Sequence, residues 1–277
     1  MQLPKKIWFL WLQGFDDMPY LVRKCWESWK RNNKEWEIIF LDENNVYDYL
    51  DIQPIIENRN TFIYRVSQSE IIRINLLKKY GGVWVDATCY CQQPLDDWIH
   101  DYTKEGFFAF HRPGFDRMLS SWFMAAHKKN SLVNEYCKAV NEFWPENKNI
   151  KMWQDRKWIH WVILKFKIHG YLKRNPTLWY HPFIVKGLKI YPYFWFFYLF
   201  EKLYRSKKIF RKNWDSVPKF TANTPHKIQD FGFFKPIAEH IKNDIDQKKD
   251  PLYKLTFKFD ANKLTNGCAL DYLLESA

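Results

Sequence analysis

The densest run of reactive side chains is Ser67–Thr88, SQSEIIRINLLKKYGGVWVDAT. It holds carboxylates at Glu70 and Asp86, a guanidinium at Arg73, and hydroxyls at Ser69 and Thr88. Asp86 and Thr88 lie two apart at the predicted end of a strand, where side chains alternate, so both point to the same side. Two oxygen ligands at that spacing suit a hard divalent cation that also holds a diphosphate. Plainer roles exist for the upstream pair. Ser67-Gln68-Ser69-Glu70 fits a capping box, with Glu70 closing a helix start. Glu70 and Arg73, three apart, also fit a surface ion pair of little worth.

These groups need elements to place them. Gly81-Gly82 ends the helix that carries Glu70 and Arg73 and releases the chain into the strand that carries Asp86. Upstream, Lys6–Leu12 reads as a buried strand, Pro19–Arg31 as a helix and Trp36–Leu41 as a second strand. Ser67–Lys79 is the next helix and Val83–Thr88 the third strand. This alternation predicts an α/β fold with a mostly parallel central sheet flanked by helices. Ligands in such sheets gather at the carboxyl ends of strands. Further on, Ser131–Trp144 and Trp153–Phe166 have helical spacing. An aromatic run, Tyr191–Phe200, then precedes Lys202, Arg205, Lys207, Lys208, Arg211 and Lys212. With no repeat and no linker-like stretch, residues 1–277 read as one elaborated domain.

Composition narrows the partners. The 277 residues are enough to bury a sizeable core. A net charge of +12 attracts nucleic acid, phosphorylated substrates or an anionic membrane. The 19% aromatic content supplies flat surfaces for sugars, bases or lipid headgroups. Cys25, Cys89, Cys91, Cys137 and Cys268 are too scattered for a disulfide framework, and Cys89-x-Cys91 lacks zinc spacing. Reduced thiols in a cytosolic protein are the expectation. The segment from Met1 has no signal-peptide layout, and no stretch is apolar enough to span a bilayer.

The string Ser69-Glu70-Ile71-Ile72-Arg73, Tyr80-Gly81-Gly82-Val83-Trp84-Val85, Asp86-Ala87-Thr88 resembles the Asp-x-Asp region of the sugar-binding-region glycosyltransferases. That class includes the capsular polysaccharide synthesis proteins and the large clostridial glucosylating toxins. Glu70 stands where the family usually has Asp, and Thr88 replaces the second Asp of the motif, as capsular members often show. Pro4-Lys5-Lys6-Ile7 through Trp11-Leu12-Gln13-Gly14 resembles the family's first strand. The likeness is strong over residues 4–98, patchy to about 165 and thin beyond, except near His226.

The resemblance implies a GT-A nucleotide-diphospho-sugar transferase fold, a nucleotide-sugar donor, most simply UDP-linked, and retention of configuration. Asp86, Glu70 and Arg73 would be the catalytic set. Trp11, Leu12, Gln13, Ser69, Glu70, Arg73, Asp86 and Lys227 would bind the donor, with Trp11 stacked on its base. The bland alternative leaves Trp8 and Trp11 as core residues on opposite faces of the strand. A weakly bound Mn²⁺ or Mg²⁺ would rest on Asp86, Thr88 and His226, because a neutral hydroxyl is a poor ligand. His226 and Lys227 lie in the polar loop Thr221–Lys227, after a proline that extends the chain.

A glycan or lipid-linked oligosaccharide acceptor at the inner face of the cell membrane would suit the aromatic and basic segment at about 183–214 as an interfacial element; the plainer alternative is an aromatic core helix beside a solvated basic face. No nucleic-acid motif is present, so nucleic acid is not an expected partner. Two rivals remain open: a membrane scaffold of the same fold without catalysis, which Thr88 favours, and a glycoside hydrolase using paired carboxylates.

Overall fold

The computed structural model describes residues 2–57, 61–259 and 264–275. Alternating apolar side chains give its central sheet two buried faces. In β1 (Lys6–Leu10), Ile7 and Phe9 enter one cluster while Trp8 and Leu10 enter the other. In β3 (Gly82–Asp86), Val83 and Val85 join the first and Trp84 the second. Helix α1 (Tyr20–Asn32) covers the first face with Val22, Trp26 and Trp29. Helix α2 (Arg65–Tyr80) covers the second with Ile71, Ile74 and Leu77.

The sheet runs β2-β1-β3-β6-β5, with β2 at Glu37–Leu41, β5 at Phe107–Gly114 and β6 at Arg117–Ala126. β1 pairs in parallel with β2 and β3, whereas β6 lies antiparallel to both β3 and β5. The sheet is therefore mixed, not mostly parallel as the alternation of elements suggested. The cause is local: β5 and β6 form a hairpin with a short connection, and hairpin strands must be antiparallel. The chain leaves β1 toward β2 on one side and leaves β3 toward β6 on the other, which opens a crevice at the carboxyl ends of β1 and β3.

The glycine pair at the mouth of β3 is sterically required. Gly81 has φ +70° and Gly82 φ +90°. A Cβ on Gly82 would lie 2.6 Å from the Lys6 carbonyl oxygen, and one on Gly81 2.8 Å from that of Ala126. Trp8 is core, its indole donating to the Gly81 carbonyl at 2.9 Å.

After β3 the chain turns into β4 (Cys89–Cys91). Helices α3 (Ser131–Glu146), α4 (Lys157–Lys165) and α5 (Ile168–Arg174) follow, with a two-stranded parallel pair of β7 (Lys151–Met152) and β8 (Ile190–Tyr191). Helix α6 (Trp195–Ser206) corrects a sequence expectation. Its aromatics, Trp195 to Tyr198 and Phe200, are buried rather than interfacial. They pack on α3: Trp195 stacks on Phe143 at 5.1 Å, and the Tyr136 hydroxyl donates to the Phe196 carbonyl. The basic residues beyond are exposed, on the end of α6 and on α7 (Lys208–Ser216), with Arg205 paired to Glu201 and Lys207 to Glu135. Finally, β9 (Leu252–Lys254) pairs antiparallel with β4, setting Lys254 opposite Cys89.

Candidate active site

A cleft of about 520 Å³ opens at the carboxyl ends of β1 and β3. The parallel register puts Leu10 beside Asp86, so the residues that follow each strand meet at one edge of the sheet. Trp11, Leu12 and Gln13 line one wall. From α2 come Val66, Ser69, Glu70 and Arg73, at the three- and four-residue intervals that share a helix face. Asp86 and Thr88 form the floor, although β3 ends at Asp86 and Thr88 lies in the turn before β4. Tyr193, Phe194 and Phe197, from the start of the aromatic run, add an apolar side.

Neither bland reading of the α2 residues holds. The helix starts at Arg65, before Ser67, and its N-cap Tyr64 makes no side-chain cap hydrogen bond. Ser67 Oγ instead accepts from the Trp195 indole at 3.0 Å. Glu70 and Arg73 are 4% and 3% exposed, so they do not make a surface pair.

Arg73 binds Asp86, not Glu70. Its Nη2 donates to Asp86 Oδ1 at 3.0 Å and to Ser69 Oγ at 3.3 Å, and its guanidinium lies over the Trp84 ring at 4.9 Å. Trp84 Nε1 donates to the same Asp86 oxygen at 2.9 Å. Arg73 Nε and Nη1 and Glu70 Oε2 are buried without hydrogen-bond partners among the described residues. Unpaired buried polar atoms are costly, and a bound polar ligand can satisfy them. Burial raises the Glu70 pKa to about 8; the Arg73 charge opposes the rise, Asp86 adds to it and the Trp195 indole opposes it. At neutral pH Glu70 is therefore mainly a neutral acid that can donate as well as accept.

Trp11 is half-buried, its indole donating to the Asp17 carbonyl at 3.2 Å and its ring meeting Phe257 edge-on at 5.3 Å. Of the donor-binding and metal residues expected from sequence, only those of the late loop stay out of the cleft lining. Lys227 is held by Asp244 at 2.8 Å and Asp250 at 2.6 Å. His226 lies edge-on to Trp122 at 5.6 Å, with Nδ1 2.7 Å from the Ala222 carbonyl oxygen. The late cations in the cleft are Lys254 and Lys258; Lys254 donates to Thr88 Oγ1 and to the Leu255 carbonyl, with Thr256 and Phe257 beside it. The only sequence signal for Lys254 is a short alternating strand near the end of the chain.

These positions do not fit the expected divalent-cation site. Thr88 Oγ1 already accepts from an ammonium, Asp86 Oδ1 takes two donors, and His226 is elsewhere. No group of three His, Cys, Asp or Glu side chains capable of holding a metal occurs among the described residues.

Comparison with known proteins adds a lineage. The chain is 27% identical to the O-glycosyltransferase braB of Annulohypoxylon truncatum over 53% of its own length and 39% of the relative's. It is 25% identical to the O-glycosyltransferase PaGT of Phomopsis amygdali over 50% of its length and again 39% of the relative's. The chain thus spans about two fifths of these curated relatives. A solved structure, the PaToxG glycosyltransferase, superposes with a TM-score of 0.40 at 14% identity, covering 82% of this chain and 84% of the other. The family model for capsular polysaccharide synthesis proteins matches residues 1–154 and 146–273, nearly the whole chain. The chain belongs to the capsular polysaccharide synthesis protein family.

Proposed function

We propose that this protein is a glycosyltransferase of the GT-A class that moves a sugar from a nucleotide donor, a UDP-sugar in the simplest case, to a surface glycan or lipid-linked oligosaccharide. The observation that carries the reading is the cleft where Trp11–Gln13, the α2 face and Asp86 meet at the ends of two parallel strands. Trp11 and Phe257 offer the base an aromatic wall. Glu70 Oε2 and the free nitrogens of Arg73 meet the hydroxyls of the donor sugar. Asp86 fixes Arg73 and has its second oxygen available for a ribose or sugar hydroxyl.

The reaction breaks the bond between the anomeric carbon and the β-phosphate oxygen and forms one to an acceptor oxygen. Among the carboxylates lining the cleft, Glu70 is mainly protonated and Asp86 is held by Arg73 and Trp84. Neither is presented as a nucleophile. This supports a front-face route with retention, in which the departing phosphate oxygen takes the proton of the acceptor hydroxyl. A protonated Glu70 beside Asp86 is also similar to the paired carboxyl groups of a glycoside hydrolase. Sugar release without nucleotide would favour that reading.

The test is a thermal-shift panel of nucleotide sugars. A true donor at 100 times its Kd raises the melting temperature by roughly 5 to 10 °C. Asp86→Asn removes the shift and lowers turnover at least about tenfold, as expected for one charge-assisted contact. Full activity in that variant would refute the site.

We further propose peripheral contact with the inner face of the cell membrane, through α4 and α5 rather than the buried aromatic helix. From Arg156 to Phe200 there is no Asp or Glu, while Lys157, Lys165, Lys167 and Arg174 are exposed. Beside them Trp158 and Trp161 are 61% and 57% exposed, and Leu164, Phe166 and Tyr171 are also exposed. Aromatics flanked by cations suit an anionic headgroup layer. No described helix is long and apolar enough to cross a membrane.

A further inference from the structure

The cleft is cationic without any metal. Arg65, Arg73, Lys254 and Lys258 line it, with Glu70 and Asp86 as the acidic members. Arg65 also meets the exposed Glu43 and Arg73 meets Asp86, whereas Lys254 and Lys258 form no ion pair among the described residues. Lys254 is partly buried and hydrogen-bonded at the position where the second ligand of an Asp-x-Asp pair would hold a cation. The β4–β9 ribbon fixes it there, because Leu255 N donates to the Thr88 carbonyl at 2.8 Å and Cys89 pairs with Lys254.

We infer that Lys254 supplies, at the donor's diphosphate, the positive charge that a divalent cation between Asp86 and Thr88 would otherwise bring. The replacement of a second Asp by Thr88 then has a physical sense. A neutral hydroxyl positions an ammonium by accepting one hydrogen bond; with the Leu255 carbonyl taking a second, one proton and the full charge remain for phosphate oxygens. A carboxylate there would neutralise the ammonium. During transfer the β-phosphate oxygen gains negative charge as its bond to the anomeric carbon breaks, and a fixed ammonium beside it stabilises that charge. Lys258 extends the cationic wall toward solvent, where it attracts the incoming anion.

This inference rests on the donor-site reading above, and calorimetric titration of UDP separates the two. Wild-type protein binds UDP with the same Kd, within about twofold, in EDTA and in Mn²⁺. Lys254→Met weakens UDP binding by roughly 10- to 100-fold, the range for a charge-assisted contact, while uridine binding is unchanged. Lys254→Arg restores part of the loss. UDP binding that requires Mn²⁺ in wild type, or that survives Lys254→Met, overturns the role of Lys254 and leaves the donor site standing. No binding of UDP or uridine under either condition overturns both. The wild-type comparison of EDTA with Mn²⁺ needs no variant and decides the question even if Lys254→Met does not fold.

Discussion

Glu70 provides the sharpest test, because its burial links site chemistry to stability. A carboxyl whose folded pKa rises from 4.5 to about 8 binds its proton more tightly in the native state than in the unfolded chain. Its contribution is therefore fully present below pH 4.5 and is lost as pH rises through about 8. This is the reverse of the usual salt-bridged carboxylate. Across pH 6 to 8 the linkage relation gives a loss of about 2 kcal/mol. For a chain of this size that corresponds to a fall in melting temperature of roughly 4 to 8 °C. Glu70→Gln keeps the shape and the donor but cannot ionise, so its melting temperature lacks this component. The assay is thermal unfolding by circular dichroism at half-unit steps from pH 5 to 9, read as wild type minus variant to cancel other titrations. Turnover should follow: wild type loses activity above pH 8, whereas Glu70→Gln retains a flat profile there. Difference curves that stay level across the window would refute the claim that Glu70 is buried and protonated.

Three further outcomes are expected. Trp11→Ala weakens UDP binding by about 1 to 3 kcal/mol, the range for stacking a base on an aromatic ring, and calorimetry reads it directly. Gly82→Ala destabilises the fold by at least about 1 to 3 kcal/mol, since φ +90° and a 2.6 Å approach to the Lys6 carbonyl both oppose a side chain; urea unfolding measures it. Trp158→Ala combined with Trp161→Ala abolishes co-sedimentation with phosphatidylglycerol vesicles and leaves soluble-donor binding intact. Wild-type protein that ignores those vesicles would remove the membrane proposal.

The amino half of the site was legible because its information is local. Glu70, Arg73, the glycine pair and Asp86 fall within a single helix–turn–strand, where helical spacing and strand alternation fix relative positions. Lys254 was not legible: it lies 166 residues from Thr88 and reaches it only through the cross-strand pairing of β4 with β9. Lys227 misled for a related reason. A lysine in a polar loop looks available until Asp244 and Asp250 fold against it. The aromatic run from Tyr191 misled because composition does not distinguish a helix facing lipid from one facing protein. Tyr136, Phe143 and Trp144 on α3 supply the partners that bury it. The mixed sheet depended on the β5–β6 hairpin, whose turn signal, Pro113-Gly114 before the short Phe115-Asp116 connection, marks a turn but does not say which strand of the sheet the hairpin joins.

The β4–β9 ribbon also orders events in time. Residues emerging early from the ribosome can form the sheet, the helix bearing Glu70 and the strand bearing Asp86, yet the cleft still lacks its lysines until residues 252–258 have joined it. A chain without residues 252–258 would thus hold a half-built pocket, with Arg65 and Arg73 but neither lysine, and a correspondingly weaker pull on a diphosphate.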